Sequence, residues 1–235
     1  MIRSEKLIRI SPEHKKPDFE LLEGAEIIIA NLNDASTGRC FSEEFIKDLR
    51  TNFPYKLIIL DTSTTFPLIP IDLEIADGIY FVQNQCFGAP GEVGYLISKA
   101  TLSKNILKNE VLSETTHKKI TLFNSILQDF IIKGIDQIRR ETKYKAAVVY
   151  HAIDSNPHLF HHISNPANRS ATTIGFESRQ DIKHYLENHG YLVGKYTSDI
   201  PGTVFTIVNY PTHSKEQFEK LSDLLISFRP DNSSQ

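Results

Sequence analysis

Two short, unbroken apolar runs constrain this chain most: Ile27-Ile28-Ile29-Ala30, which follows Glu26, and Leu57-Ile58-Ile59-Leu60. A strand with one wet face alternates apolar and polar residues, whereas a continuous apolar run of this length, rich in Ile and Leu, fits a strand buried on both faces, as in a parallel sheet. Between the two runs lies Ser42-Glu43-Glu44-Phe45. A Ser N-cap with two acids in the first turn opens a helix there, and Phe45, Ile46 and Leu49 face inward from it. Strand, helix and strand in that order form a crossover unit. Further strands are expected at residues 6–10, 78–82 and 93–98, so the front of the chain predicts an α/β architecture with a mostly parallel sheet and flanking helices. Neither run approaches the ~20 apolar residues that cross a bilayer.

From 117 to 142 the apolar residues Ile120, Phe123, Ile126, Leu127, Phe130, Ile131, Gly134 and Ile138 recur at three and four, which predicts one long amphipathic helix bridging two domains. Residues 144–155, 179–188 and 214–226 read as further helices, and 170–176 and 203–210 as strands. The division expected is a partial large domain over 1–142, a small α+β domain over 143–228 and a flexible polar tail over 229–235.

Charge excludes some partners. The net formal charge is −3, with nine histidines counted neutral, so no broad basic face for nucleic acid or anionic lipid is expected. Two cysteines, Cys40 and Cys86, make no disulfide framework, and the residues after Met1 lack the apolar core of a signal peptide. A reduced, cytoplasmic setting is expected, without a membrane.

Three local patterns then occur in a fixed order. Asn31-Leu32-Asn33-Asp34-Ala35-Ser36-Thr37-Gly38 follows a strand directly; the strand Leu57 to Leu60 ends in Asp61-Thr62-Ser63-Thr64-Thr65; and Gly78-Ile79-Tyr80-Phe81-Val82 runs into Gln83-Asn84-Gln85-Cys86-Phe87-Gly88. The set resembles class V aminotransferases of fold type I, in the phosphoserine aminotransferase-like branch. Asn165-Pro166-Ala167-Asn168-Arg169-Ser170 and Asn209-Tyr210-Pro211-Thr212-His213-Ser214 look like that family's entry into its small domain and its last strand. The resemblance implies pyridoxal phosphate chemistry and a dimer. It places Asp61 at the cofactor aspartate, with Asn84 and Thr64 as further vestigial cofactor positions, and Asn33 and Thr206 at substrate positions.

The departures from the family decide the functional expectation. Anchoring on Cys86-Phe87-Gly88 puts Gln85 at the Schiff-base lysine, and no Lys lies between Lys56 and Lys99. An amide is neither nucleophilic nor basic, so transamination by the usual route is closed. Thr206 stands where the resemblance expects an arginine, and it supplies no bidentate fork. The family's N-terminal third, with its phosphate turn and ring-stacking aromatic, has no counterpart, and Lys118-Lys119 fall near a region that gives a phosphate-binding Thr to the neighbouring subunit. No cofactor is expected, with residual pyridoxal phosphate binding left open.

Plainer readings stand beside these. Asp61 caps its own Thr-rich turn; Asn33 and Asp34 form an Asx turn; Gly88, Pro90 and Gly91 punctuate the return into a strand. Cys86, the weak catalytic candidate, is expected to be buried and inert, and Cys40 is no better placed. His151, His158, His161 and His162 match no closed metal spacing and read as a polar inter-domain loop; no metal is expected. The leading expectation is a pseudoenzyme of aminotransferase descent that serves as a partner subunit or ligand-binding scaffold, as a homodimer or with a separately encoded chain. The competing one is an enzyme that holds pyridoxal phosphate or a substrate non-covalently and uses Cys86 or Asp61 in a different reaction.

Overall fold

The computed structural model describes residues 7–12, 17–90, 93–99, 113–178, 182–197 and 203–230. Its contacts fall into two units, one of residues 1–34 with 40–138, the other of residues 35–39 with 139–235.

The first unit is built on a five-stranded sheet in the order β1-β2-β3-β4-β5, from β1 (Leu7–Ile10), β2 (Ile27–Asn31), β3 (Leu57–Asp61), β4 (Gly78–Val82) and β5 (Gly94–Ser98). The first four strands are parallel and β5 is antiparallel to β4. Strand order rises with chain order, so crossovers of the usual right hand all return over one face. That face carries Ile10, Ile28, Ala30, Ile58, Leu60 and Ile79, packed with Phe45, Ile46 and Leu49 of α1 (Glu43–Asn52). Each Ile, Leu or Phe side chain among them contributes about 1.5–3 kcal/mol on full burial. Ser42 caps α1 by accepting the Phe45 N–H at 3.2 Å, as its sequence position predicts. Arg50 fixes the far end of α1: Nε donates to the Ile75 carbonyl at 2.7 Å and Nη2 to Asp77 Oδ2 at 2.6 Å. The same Oδ2 accepts the Ile58 N–H at 2.9 Å, tying helix to strand. Beyond β5, α2 (Glu114–Lys133) sets Phe123 against Phe81 and Phe87 in an aromatic cluster.

The single helix expected over 117–142 is corrected to two. α2 ends at Lys133, Gly134 takes φ +84° and donates its N–H to the Phe130 carbonyl at 3.0 Å, and α3 (Ile135–Ser155) begins at once. A glycine in the left-handed region terminates a helix at little steric cost. Apolar spacing continues across it, so periodicity alone does not mark the break. Residues 144–155 are the second half of α3, not a further helix.

The second unit holds an antiparallel sheet in the order β6-β7-β9-β8, from β6 (Phe160–His162), β7 (Thr173–Ser178), β8 (Gly194–Thr197) and β9 (Thr203–Val208). With it pack α3, α4 (Lys183–Asn188) and α5 (Lys215–Ser227) around Val149, Phe176, Phe205 and Leu221. α5 opens with a capping box in which Ser214 and Gln217 satisfy each other's backbone N–H groups. β6 and β8 lie outside the expected strands. The expected histidine loop is also corrected: His151 lies on α3, and His161 and His162 lie on β6, where His162 is hydrogen-bonded to Asp154. Gly91, residues 179–181 and 231–235 of the tail lie outside the described residues.

Candidate functional site

The carboxyl ends of parallel strands collect the turns of an α/β sheet and are where such sheets bind ligands. In the first unit those ends are Ile10 of β1, Asn31 of β2, Asp61 of β3 and Val82 of β4. Past β2, the Leu32 N–H donates to the Asp61 carbonyl at 3.0 Å, which brings Asn33 beside the turn after β3. There Asn33 Nδ2 donates to Thr64 Oγ1 at 2.8 Å.

Asp61 turns inward on its own loop. Its Oδ1 accepts from Ser63 N–H at 3.2 Å and from Ser63 Oγ at 2.7 Å. Thr62 locks the same turn onto β4, donating both its N–H at 2.8 Å and its hydroxyl at 2.9 Å to the Tyr80 carbonyl. Asp61 Oδ1 thus takes part in its own turn.

Gln83, which the sequence reading passes over, organises the next turn. It is fully buried, with Nε2 donating to the Pro90 carbonyl at 2.9 Å and Oε1 accepting from the Tyr95 hydroxyl at 2.9 Å. Its carbonyl accepts the Ala89 N–H at 3.1 Å, while Gly88 donates to the Gln85 carbonyl at 3.0 Å. Gly88 sits at φ +66°, the left-handed conformation expected of a glycine turn. An amide immediately after an apolar strand is the available signal for Gln83: a neutral side chain with a donor and an acceptor can close both sides of a loop.

Asn84 and Gln85 are half-buried in this turn, and Asn84 Oδ1 is buried with no hydrogen-bond partner among the described residues. Cys86 is wholly buried, and burial alone pushes its thiol far above the ordinary value. Burial likewise pushes Cys40 up to about 11. The thiolate is the reactive form, so both thiols are held in the unreactive one.

Thr206 belongs to the other unit. It is buried in β9, opposite Gly175 of β7 and Gly194 of β8. Asn33 and Thr64 are thus in direct contact, Asp61 shares their turn, Asn84, Gln85 and Cys86 share the next, and Thr206 lies in the second sheet. A second residue that the sequence reading misses is Lys145, 2% exposed, whose Nζ donates to the carbonyls of Tyr210 at 2.8 Å and His213 at 2.9 Å. Burial, and then Lys145, hold His213 below its usual imidazole range. Among the described residues the groups named at the sheet end are amides, hydroxyls and a carboxylate, which can recognise a polar ligand but are not amines that condense with an aldehyde. Among the described residues no three His, Cys, Asp or Glu side chains converge as a metal centre, and no helix is long and apolar enough to cross a membrane.

No protein-family model matches the chain. In sequence it is 27% identical over 148 residues to the phosphoserine aminotransferase of Blochmanniella floridana, across 56% of this chain and 40% of that protein. In structure it is similar to a phosphoserine aminotransferase from Cytophaga hutchinsonii, with TM-score 0.72, 26% identity and coverage of 86% of this chain and 63% of that one. The pyridoxal-phosphate-bound phosphoserine aminotransferase of Trichomonas vaginalis shares the fold at TM-score 0.65 and 21% identity, over 86% of this chain and 61% of that one. The chain thus spans less than two thirds of the length of each.

Proposed function

We propose that this chain, which is similar to phosphoserine aminotransferases in sequence and shares their mixed α/β fold, serves as a ligand-binding scaffold or partner subunit and does not transaminate. One observation carries the reading: the stretch between Lys56 and Lys99 holds no lysine, and Gln85 stands at the position that the resemblance gives to the Schiff-base lysine. The amide nitrogen lone pair is delocalised into its carbonyl, so Gln85 forms no imine and relays no proton between substrate carbons.

The surrounding residues do not fit a covalently held pyridoxal phosphate. Ser63 engages Asp61 Oδ1 from two sides. Cys86 is sealed in, which counts against its service as a replacement nucleophile. Thr206 offers a neutral hydroxyl where the resemblance expects a charged fork. What the turn keeps is hydrogen-bonding capacity, including the buried Asn84 Oδ1, which a ligand donor would satisfy. Exposed Leu122, Ile131 and Ile132 on α2 support a partner, either a second copy or a different chain.

The test is titration of the purified chain with pyridoxal phosphate, followed by borohydride reduction and mass analysis, with Gln85→Lys as the positive comparison. The unaltered chain is expected to show no imine absorption band and no one-to-one label. A stoichiometric label on a single lysine of the unaltered chain overturns the reading.

A further inference from the structure

The loop joining β2 to α1 has its neck in one unit and its tip in the other. The neck is closed within the first unit by the isolated antiparallel bridge between Asn33 and Cys40, and by the Phe41 N–H donating to the Leu32 carbonyl at 3.0 Å. The tip, residues 35–39, belongs to the second unit. There the Ser170 N–H donates to the Gly38 carbonyl at 3.0 Å, Arg39 bridges Arg169 in antiparallel fashion, and Arg39 Nη2 donates to the Ile163 carbonyl at 3.0 Å.

The tip crosses β7 without any side chain between the two backbones. A Cβ on Gly175 would lie 1.7 Å from the Thr37 carbonyl oxygen, and a Cβ on Gly38 would lie 2.5 Å from both Gly175 N and Thr173 O. Gly38 is also at φ +71°. Both glycines are therefore required by this approach. Gly175 sits inside a strand, opposite Thr206, where a glycine is unfavourable by roughly 0.5–1 kcal/mol against Ala and where β-branched residues pack better. Nothing in the β7–β9 ladder needs a glycine there; the crossing of Thr37 does.

The tip is held by separate loop contacts, the Ser170 and Arg39 hydrogen bonds among them at about 1 kcal/mol net each, and not by a continuous ladder. β7 is held by continuous ladders to β6 and β9. Segments joined so unequally open at different free energies. We propose that residues 35–39 are a latch, caught on β7 at Gly175, that opens and closes on an intact second sheet. Asn33, whose amide holds Thr64, lies two residues before the tip, so the shut latch also fixes the start of the loop that bears it. This inference is independent of whether the sheet end binds a ligand.

Trypsin reads the latch directly, because Arg39 is followed by Cys40. In the full-length chain under native conditions, Gly175→Ala is expected to speed cleavage after Arg39 by about 10-fold or more, with far-ultraviolet circular dichroism unchanged. A folded Gly175→Ala protein cleaved there no faster than the unaltered chain overturns the proposal. Native-state hydrogen exchange on the unaltered chain decides it should the variant not fold. The Ser170 amide is expected to exchange about 10-fold or more faster than the hydrogen-bonded amides of β7, and without dependence on denaturant. Exchange of Ser170 together with those amides means that the latch opens only when the sheet unfolds, and refutes it.

Discussion

Gln83 is the residue on which the turn bearing Gln85 depends, and its two side-chain hydrogen bonds make the dependence measurable. Tyr95→Phe removes the donor to Gln83 Oε1 and leaves that oxygen buried and unsatisfied, a cost of about 1–3 kcal/mol. Gln83→Leu removes both the Tyr95 bond and the bond to the Pro90 carbonyl, again about 1–3 kcal/mol for two neutral bonds. Once Gln83→Leu is in place, no buried oxygen awaits the phenol, and adding Tyr95→Phe costs only about 0.5 kcal/mol or less. The coupling in the double-mutant cycle therefore equals almost the whole cost of Tyr95→Phe, about 1–3 kcal/mol. Thermal unfolding reads it, at about 2–4 °C per kcal/mol for a chain of this size. Equal effects of Tyr95→Phe with and without Gln83→Leu would mean that the 2.9 Å bond is not what holds the turn.

Further outcomes follow from titratable groups that are partly or wholly buried. Cys40, raised from 9.0 to about 11, should react with iodoacetamide at pH 8 about 100-fold more slowly than a free thiol, and Cys86 more slowly still; fast labelling of Cys86 in the native chain refutes its burial. A raised thiol pKa contributes stability that is fully present below about pH 9 and is lost as pH climbs toward 11. His213 has the opposite sign: its imidazole is held below 6.5, so the unfolded chain binds a proton more readily, and stability falls as pH drops below 6.5. His213→Asn should flatten that part of the stability curve measured by urea titration; an unchanged slope assigns the acid sensitivity to other groups.

What is legible in the sequence, and what is not, follows the range of the interactions. β2, β3 and α1 are written in contiguous residues: unbroken Ile and Leu runs for strands buried on both faces, and Ser42 with Glu43 and Glu44 for a capped helix start. Gly134 reads as one more member of an apolar stripe, because its effect rests on a positive φ that composition does not reveal. β6 and β8 are short, and their residues, such as Phe160-His161-His162, carry no alternation strong enough to outweigh neighbouring Pro and Asn. At the sheet end, Asp61 and its turn are visible since the partner Ser63 is two residues away. Asn33 stands out in the sequence, but its contact with Thr64 spans thirty-one positions and only the register of β2 on β3 creates it. Gly175 is the extreme case. In the sequence it is a lone glycine inside a strand, a position usually taken to mark a bulge or a weak strand. Its requirement comes from a carbonyl at Thr37, far away along the chain and brought there by a loop that leaves one unit for the other. A residue whose necessity is to have no side chain leaves no chemical signature, so it becomes readable only when the backbone that crosses it is in place.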